Sequence, residues 1–317
     1  MKKLICVANP KSQNGTVGAK TELLREYLLK RQIEHHLLDL TTTEFLGELT
    51  KILRRGDAEV LLGIGGDGTH FSLMNTLQAI AAKHPEIKLP DYALCPLGTG
   101  NDIAKSIGLK VGVKNYRHVV DTALNGTSTA VDLGCWDGQY FADMVSAGMD
   151  ATILNKREQL TAKLRNFPLL NKLLHGYVVY AIAGIITLIR RSRVRAEIRI
   201  DGDTWYDGPV CAILVNNCPV HAGEFILTPD ARMDDGKLDI LYIRNRIQYL
   251  LHFVLGWRHL PGFIRHGRCH RRTQGERIDV DLSASSPMQI DGEPVDASQS
   301  IRLTTVAGAI RLRIPSS

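Results

Sequence analysis

The run Gly65-Gly66-Asp67-Gly68-Thr69 follows at once on the apolar stretch Ala58-Glu59-Val60-Leu61-Leu62-Gly63-Ile64, so a glycine-rich turn opens where a buried strand ends. No other feature limits the fold as sharply. Three glycines in four positions let backbone N–H groups approach an anion, and residues 71–82, apolar at helical spacing, add the positive end of a helix dipole. A second turn, Pro96-Leu97-Gly98-Thr99-Gly100-Asn101-Asp102, follows the apolar strand 92–95 and precedes a short helix over 103–106. Two such turns at neighbouring strand ends predict one phosphate cleft.

The first third alternates in the same way. Residues 4–8, 34–40, 59–64 and 92–96 read as strands, with helices over 17–31, 44–55 and 71–82 between them, which predicts a parallel sheet with helices on both faces. Ligands of such sheets sit outside the carboxyl ends of the strands. From about residue 129 the pattern turns β-rich, with strands expected at 130–133, 140–145, 195–200, 208–216, 238–243, 277–282, 288–290 and 301–305. The pairs Asp137-Gly138, Asp201-Gly202, Asp207-Gly208 and Asp291-Gly292 punctuate them as hairpin turns. The expectation is an α/β domain over 1–128 and an antiparallel β-rich domain over 129–305. Helical insertions are placed at 156–189 and 247–264, and residues 306–317 could return to the first domain. No linker separates the two, so their boundary is expected to line the functional cleft.

With 317 residues and 44% hydrophobic content the chain can bury a core of that size. Its six cysteines are scattered without a CxxC pair, and Met1-Lys2-Lys3-Leu4 does not open a signal peptide, so a reduced, cytoplasmic protein is expected. The longest apolar stretch, 177–189, is shorter than the roughly 20 residues that a bilayer requires. A net charge of +6 suits an anionic partner, while aromatics at 6% do not interleave with the basic cluster Arg265, Arg268, Arg271 and Arg272; no nucleic-acid partner is expected. His266, Cys269 and His270 have ligand-like spacing, but the surrounding arginines disfavour zinc.

Gly63-Ile64-Gly65-Gly66-Asp67-Gly68 also satisfies the dinucleotide fingerprint, yet it follows the third strand and lacks an acid at the end of the next one. No Gly-Lys-Ser/Thr ending marks a P-loop. Asp67 among phosphate-binding amides would repel phosphate unless Mg²⁺ lay between them; the structural alternative is that it caps the following helix. Asp234-Asp235-Gly236 and Asp291-Gly292-Glu293 taken alone are hairpin turns.

The two glycine turns together resemble the diacylglycerol kinase catalytic family, lipid kinases that share a fold with sphingosine kinases and more distantly with NAD kinases. Further matches are Asn9-Pro10-Lys11-Ser12, Val131-Asp132-Leu133-Gly134 with Ser146-Ala147-Gly148-Met149-Asp150-Ala151, the run Pro229 to Asp239, and Gln289-Ile290-Asp291-Gly292-Glu293. The resemblance implies an ATP-dependent kinase acting on a lipid hydroxyl of a diacylglycerol-like lipid, phosphatidylglycerol or a sphingoid base. It makes Glu293 the base for the acceptor hydroxyl, with Asp67 as its catalytic partner. Asn9, Thr42, Gly65, Gly66, Asp67, Gly68, Thr69, Thr99 and Asn101 form the nucleotide site, and Asp235 with the carbonyls of Arg232 and Lys237 hold a structural Mg²⁺. One departure is His70-Phe71-Ser72-Leu73, where many members carry an acid; His70 reads as a solvated first-turn histidine. An NAD kinase-type phosphotransferase and a non-catalytic binding protein of the same fold are the alternatives. The amphipathic, basic segment 247–272 could touch an anionic membrane, placing the protein at the inner membrane face, or pack on the β domain. An exposed edge strand could support a homodimer.

Overall fold

The computed structural model describes residues 3–164, 177–189, 193–259 and 270–316. Strands β1 (Leu4–Ala8), β2 (His35–Asp39), β3 (Val60–Gly65) and β4 (Asp91–Pro96) pair in parallel in the order β2-β1-β3-β4. With them run α1 (Thr16–Lys30), α2 (Phe45–Arg55), α3 (Asp67–Lys83), α4 (Asp102–Ser106) and α5 (Tyr116–Asn125). β1 and β3 are buried along their whole length, as parallel strands covered on both faces must be. Alternation assigns the faces. Leu4, Cys6, Val60 and Leu62 pack with Leu24 and Leu28 of α1 and Val119 and Val120 of α5. Ile5, Val7 and Leu61 pack with Phe45, Leu49 and Leu53 of α2 and Leu73 and Leu77 of α3. In α2 the buried positions recur every fourth residue, and Gly56 ends the helix at φ 66°, a left-handed conformation glycine adopts without strain. Helix α5 has no counterpart among the predicted elements.

The second half is antiparallel. β5 (Thr127–Trp136), β6 (Gln139–Phe141), β7 (Met144–Gly148), β8 (Val194–Ile200), β9 (Asp203–Val210) and β10 (Ala212–Asn216) precede a two-stranded ribbon of β11 (Val220–His221) and β12 (Phe225–Ile226). Then come β13 (Leu238–Ile243), β14 (His270–Gly275), β15 (Arg277–Ile290) and β16 (Glu293–Ile314). One face of β7, β10 and β13 packs Val145, Ile213, Val215 and Ile240 against Ile198, Ile278 and Val280. The other is covered by α6 (Met149–Leu164), α7 (Tyr177–Ile189) and α8 (Arg246–His259), through Met149, Ile153, Ala183 and Tyr249.

Several predicted strands differ. The stretch 140–145 breaks at Ala142 and Asp143, whose amides turn to the Asp291 carboxylate. The stretch 208–216 breaks at Cys211, whose N–H donates to Ile243 O and whose carbonyl accepts from Met149 N–H, each at 2.8 Å. Segments 277–282 and 288–290 are one strand with register shifts between Asp281 and Met288. Helix α6 begins at Met149, upstream of the predicted insertion. His266, Cys269, Arg265 and Arg268 lie outside the described residues, while Arg271 and Arg272 lie in β14.

β16 joins the two halves. It starts at Glu293, runs along β15 and β5, and ends beside β4 with Leu312 opposite Tyr92.

Candidate active site

The carboxyl ends of β1, β3 and β4 form one wall of a cleft of about 750 Å³, lined there by Asn9, Ser12, Gly66, Asp67, Gly68, Thr69, Gly98, Thr99 and Gly100. The glycines are sterically required. A Cβ on Gly98 would stand 2.5 Å from Gly66 Cα, and one on Gly100 would stand 2.8 Å from Asp67 Oδ2. The loops therefore pack backbone to backbone and leave amides, not side chains, to meet a ligand. No side chain caps the first turn of α3. Thr69 is buried, and its hydroxyl lies 3.4 Å from Ser12 Oγ.

Asp67 opens α3 but caps a different helix. Its carboxylate accepts the N–H groups of Asn101 (2.7 Å) and Asp102 (2.9 Å) at the start of α4, clasping the two loops together. Asn101, at φ 55°, accepts from Gly98 N–H at 2.8 Å and donates to Gly98 O at 2.9 Å, so it shapes the second loop from within and does not line the cleft. Gly65 ends β3 with the Thr69 side chain where its Cβ would be, and its carbonyl accepts from Leu97 N–H at 2.7 Å. Thr42 lies in the exposed turn after β2, at the same carboxyl edge of the sheet but outside the lining, with its hydroxyl donating to Asp39 O. The Asn9 Oδ1 atom is buried without a hydrogen-bond partner among the described residues.

His70 is not solvated. It is buried, with Nδ1 2.8 Å from Tyr92 Oη, and burial drives its pKa down to about 3. The cause is Gly63 on β3, whose missing side chain leaves room for the Tyr92 hydroxyl and the His70 ring.

The opposite wall comes from the second half of the chain. Asp291 and Gly292, at φ 45° and 80°, form the two-residue turn between β15 and β16, which presents Glu293 to the cleft. The Asp291 carboxylate is buried and accepts the N–H groups of Ala142, Asp143 and Met144 at 2.9–3.0 Å. Across the cleft, a Cβ on Gly68 would collide with Glu293 Oε1. That glycine therefore allows Glu293 to reach the first glycine loop.

Asp143, Asp150, His221 and Gln289 also line this wall, and no single stretch of sequence marked them as a group. Gly148, at φ 90° and packed on Cys211 O, turns the chain from β7 into α6 and so delivers Asp150. There Asp150 accepts from Ser146 Oγ (2.6 Å), Tyr249 Oη (2.8 Å) and Gln289 Nε2 (3.2 Å), and pairs with His221 Nε2 at 3.3 Å.

Electrostatics separate these acids. Burial and the neighbouring Asp102 push Asp67 up to about 6. Burial raises Asp291 to about 7 against the pull of its three N–H donors. It also raises Asp143 well above the usual range, reinforced by Asp102, Asp291 and Asp67. Glu293 is raised by loss of hydration between the cleft walls and then by Glu158, with Arg157 opposing. Asp150 moves the other way. Burial opposes its charge, yet His221 and the donors around it hold it at about 2. Crowded carboxylates with raised pKa values have an unmet preference for a cation.

Among the described residues no three His, Cys, Asp or Glu side chains converge on a metal. The oxygen donors do fit Mg²⁺ arriving with phosphates, since that ion binds through one or two carboxylates and keeps phosphate and water as its other ligands. Asp67 and Asp102 would face it. Asp235 lies apart, in the turn before β13, where its Oδ1 accepts from Lys237 N–H at 3.1 Å. After burial, Asp235 and Asp230 help push Asp239 up to about 6, so this turn too carries excess negative charge. The Arg232 guanidinium, a cation without an acceptor, pairs with Asp234, so only the residue's carbonyl could serve a metal.

Comparison with known proteins gives two adjoining matches. A model of the diacylglycerol kinase catalytic domain matches residues 3–136, and one of the YegS C-terminal NAD kinase beta sandwich-like domain matches residues 143–314. A diacylglycerol kinase of Staphylococcus carnosus is 26% identical over 274 residues, covering 86% of this chain and 83% of that protein. A protein of Pectobacterium atrosepticum named "probable lipid kinase YegS-like" is 25% identical over 308 residues, covering 95% and 94%. Among solved structures, a diacylglycerol kinase from Bacillus anthracis superposes with a TM-score of 0.72 at 20% identity, over 99% of this chain and 97% of the other. Yeast NADH kinase gives 0.52 at 11%, over 100% and 84%, a likeness of fold.

Proposed function

Because the chain belongs to the family that joins a diacylglycerol kinase catalytic domain to a YegS-type C-terminal domain, and is thus a lipid kinase, we propose that it transfers the γ-phosphate of Mg-ATP to the hydroxyl of a membrane lipid, with Glu293 as the general base. The observation that carries this reading is the meeting of Gly68 and Glu293 across the cleft. It brings a carboxylate whose pKa is raised by burial between the cleft walls, and so a better base than an exposed glutamate, against the loop that would hold the reacting phosphate.

The amides of Gly66, Gly68 and Gly100, with the hydroxyls of Thr69 and Thr99, would bind the phosphate oxygens. Thr42 and Asn9 would meet the nucleoside side of the nucleotide, at the open end of the strand row. Asp67 does two things. It locks the second glycine loop through Asn101 and Asp102 and, with Asp102, would face Mg²⁺, which when bound neutralises charge on the phosphoryl oxygens. Glu293 would take the proton from the lipid hydroxyl as its oxygen attacks the γ-phosphorus, while the bond from that phosphorus to the β,γ-bridging oxygen breaks and ADP leaves. Asp235 with the carbonyls of Arg232 and Lys237 would hold a second, structural Mg²⁺. No described helix is long and apolar enough to cross a membrane, and on this reading the protein sits at the inner membrane face while it takes its acceptor.

The test is transfer of labelled γ-phosphate from Mg-ATP to diacylglycerol, phosphatidylglycerol and sphingoid bases in mixed micelles, with NAD alongside. The native chain is compared with Asp67→Ala and Glu293→Gln. Label in one lipid, lost in both variants, is expected; label in NAD, or full activity of Glu293→Gln, would overturn the reading.

A further inference from the structure

Gln289 is among the most enclosed polar side chains of the cleft wall, and its two ends face opposite demands. Its Oε1 accepts the N–H of Gly292 at 2.8 Å, and its Nε2 donates to Asp150 Oδ2 at 3.2 Å. In a two-residue hairpin the N–H of the second turn residue has no partner within the ladder, and here that N–H directly precedes Glu293. A side chain able to satisfy it and also reach Asp150 must accept at one point and donate at another, which an amide does. An ionised carboxylate would repel Asp150, an ammonium could not accept from Gly292, and a hydrocarbon would leave the Gly292 N–H unpaired and remove one of the donors to Asp150.

Asp150 is itself held rigidly. Ser146, Tyr249 and His221 anchor its two oxygens from β7, α8 and β11. The anchorage extends across the cleft, because Gly223, two residues after His221, donates to Asp102 Oδ1, and Lys105 Nζ of α4 donates to Gly223 O. Asp102 N–H in turn donates to Asp67. A run of polar contacts and short chain segments thus circles the cleft from Asp67 through Asp102, Gly223, His221, Asp150 and Gln289 to the turn that carries Glu293.

We propose that Gln289, braced by Asp150, is a positioning residue that sets the Asp291–Gly292 turn and thereby fixes where the Glu293 carboxylate meets the reacting phosphate. The inference rests on the assignment of Glu293 as the base. Both turn residues have positive φ, so small rotations there swing Glu293. The gap it must occupy is narrow, since the Gly68 backbone bounds it.

The test is a double-mutant cycle on lipid phosphorylation. Gln289→Leu is expected to lower kcat about 30- to 100-fold, the scale of a misplaced catalytic group, while KM for ATP moves less than about two-fold, because the nucleotide loops are untouched. In the Glu293→Gln background the same change is expected to cost almost nothing more, since there is no base left to position. Equal losses in both backgrounds, or wild-type kcat in Gln289→Leu, would overturn the inference. Full activity in Glu293→Gln would instead remove the base assignment and this inference with it.

Gln289→Glu serves if the leucine variant does not fold. Its charged surroundings are Asp150 and His221 on one side, Asp291 and Glu293 along the hairpin, and Asp143 before β7. When protonated, the introduced carboxyl can donate to Asp150; when ionised, it repels that group, so kcat relative to the native chain should recover as pH falls. A constant ratio across pH would equally sink the idea.

Discussion

On the wall of the cleft that the proposed function gives to the nucleotide, the groups presented are main-chain amides of two short continuous segments, residues 65–69 and 97–102. On the opposite wall, which that proposal gives to the acceptor, they are the side chains of Asp143, Asp150, Gln289, Asp291 and Glu293, delivered from residues 143–150 and 289–293, far apart in the chain. The first wall works by absence: Gly66, Gly68, Gly98 and Gly100 each remove a Cβ that would strike the opposing loop or a carboxylate. The second works by saturation, with Asp291 taking three buried N–H groups and Asp150 four partners. A wall of amides tolerates side-chain change but not added volume. A wall of buried acids tolerates neither a lost acceptor nor a lost donor.

The largest expected effect falls on the saturated side. Asp291→Ala leaves three backbone N–H groups without an acceptor and should lower unfolding free energy by about 3 kcal/mol or more; chemical denaturation measures it, and a loss below about 1 kcal/mol would mean that water replaces the carboxylate freely. Next is Gly68→Ala, which sets a methyl group on Glu293 Oε1. It should reduce kcat about 100-fold with nucleotide binding by calorimetry retained, and loss of binding instead would show that the methyl group disturbs the phosphate loop first.

The Asp150–His221 pair gives a smaller, pH-dependent effect. Asp150 is lowered to about 2, so its contribution to stability is complete above the ordinary aspartate range and is lost only as pH falls toward that value. His221 is raised by Asp150 and Asp102 in spite of burial, so its contribution is complete below the ordinary histidine range and fades as pH climbs through the raised value. The Tm difference between the native chain and His221→Gln should therefore be widest in mildly acidic buffer and narrow in alkaline buffer. A difference that widens with pH would contradict the ion pair. Smallest is Glu158→Gln: this like charge helps raise Glu293, so its removal should move the acidic limb of the kcat/KM profile down by a few tenths of a pH unit.

The legibility of the two walls follows from the same contrast. Gly65 to Thr69 and Gly98 to Asn101 could be read from sequence because a phosphate loop is a local object: strand, glycines and helix follow one another in the chain, and the periodicity of residues 4–96 sets them at one sheet edge. Even there, Gly65 and Asn101 serve the loop's shape more than its surface, which requires knowing that Thr69 and Gly98 face them. His70 was misread because its surroundings depend on Tyr92 and the missing side chain of Gly63, neither of which is a helical neighbour. Asp143, Asp150 and Gln289 sat inside recognisable segments without a role, since what distinguishes them is burial beside one another.

Local sequence was enough for the parallel α/β half, the antiparallel half and the two glycine turns at strand ends, because strand alternation, helical spacing and glycine conformation act over a few residues. Tertiary structure alone decided that Asp67 caps α4 and not its own helix, that one long strand from Glu293 to Ile314 stitches the halves together, and that Gln289 joins Asp150 to the turn before Glu293. Those outcomes depend on which distant groups share a dry, crowded volume, and charge and hydrogen bonding acquire their force only there.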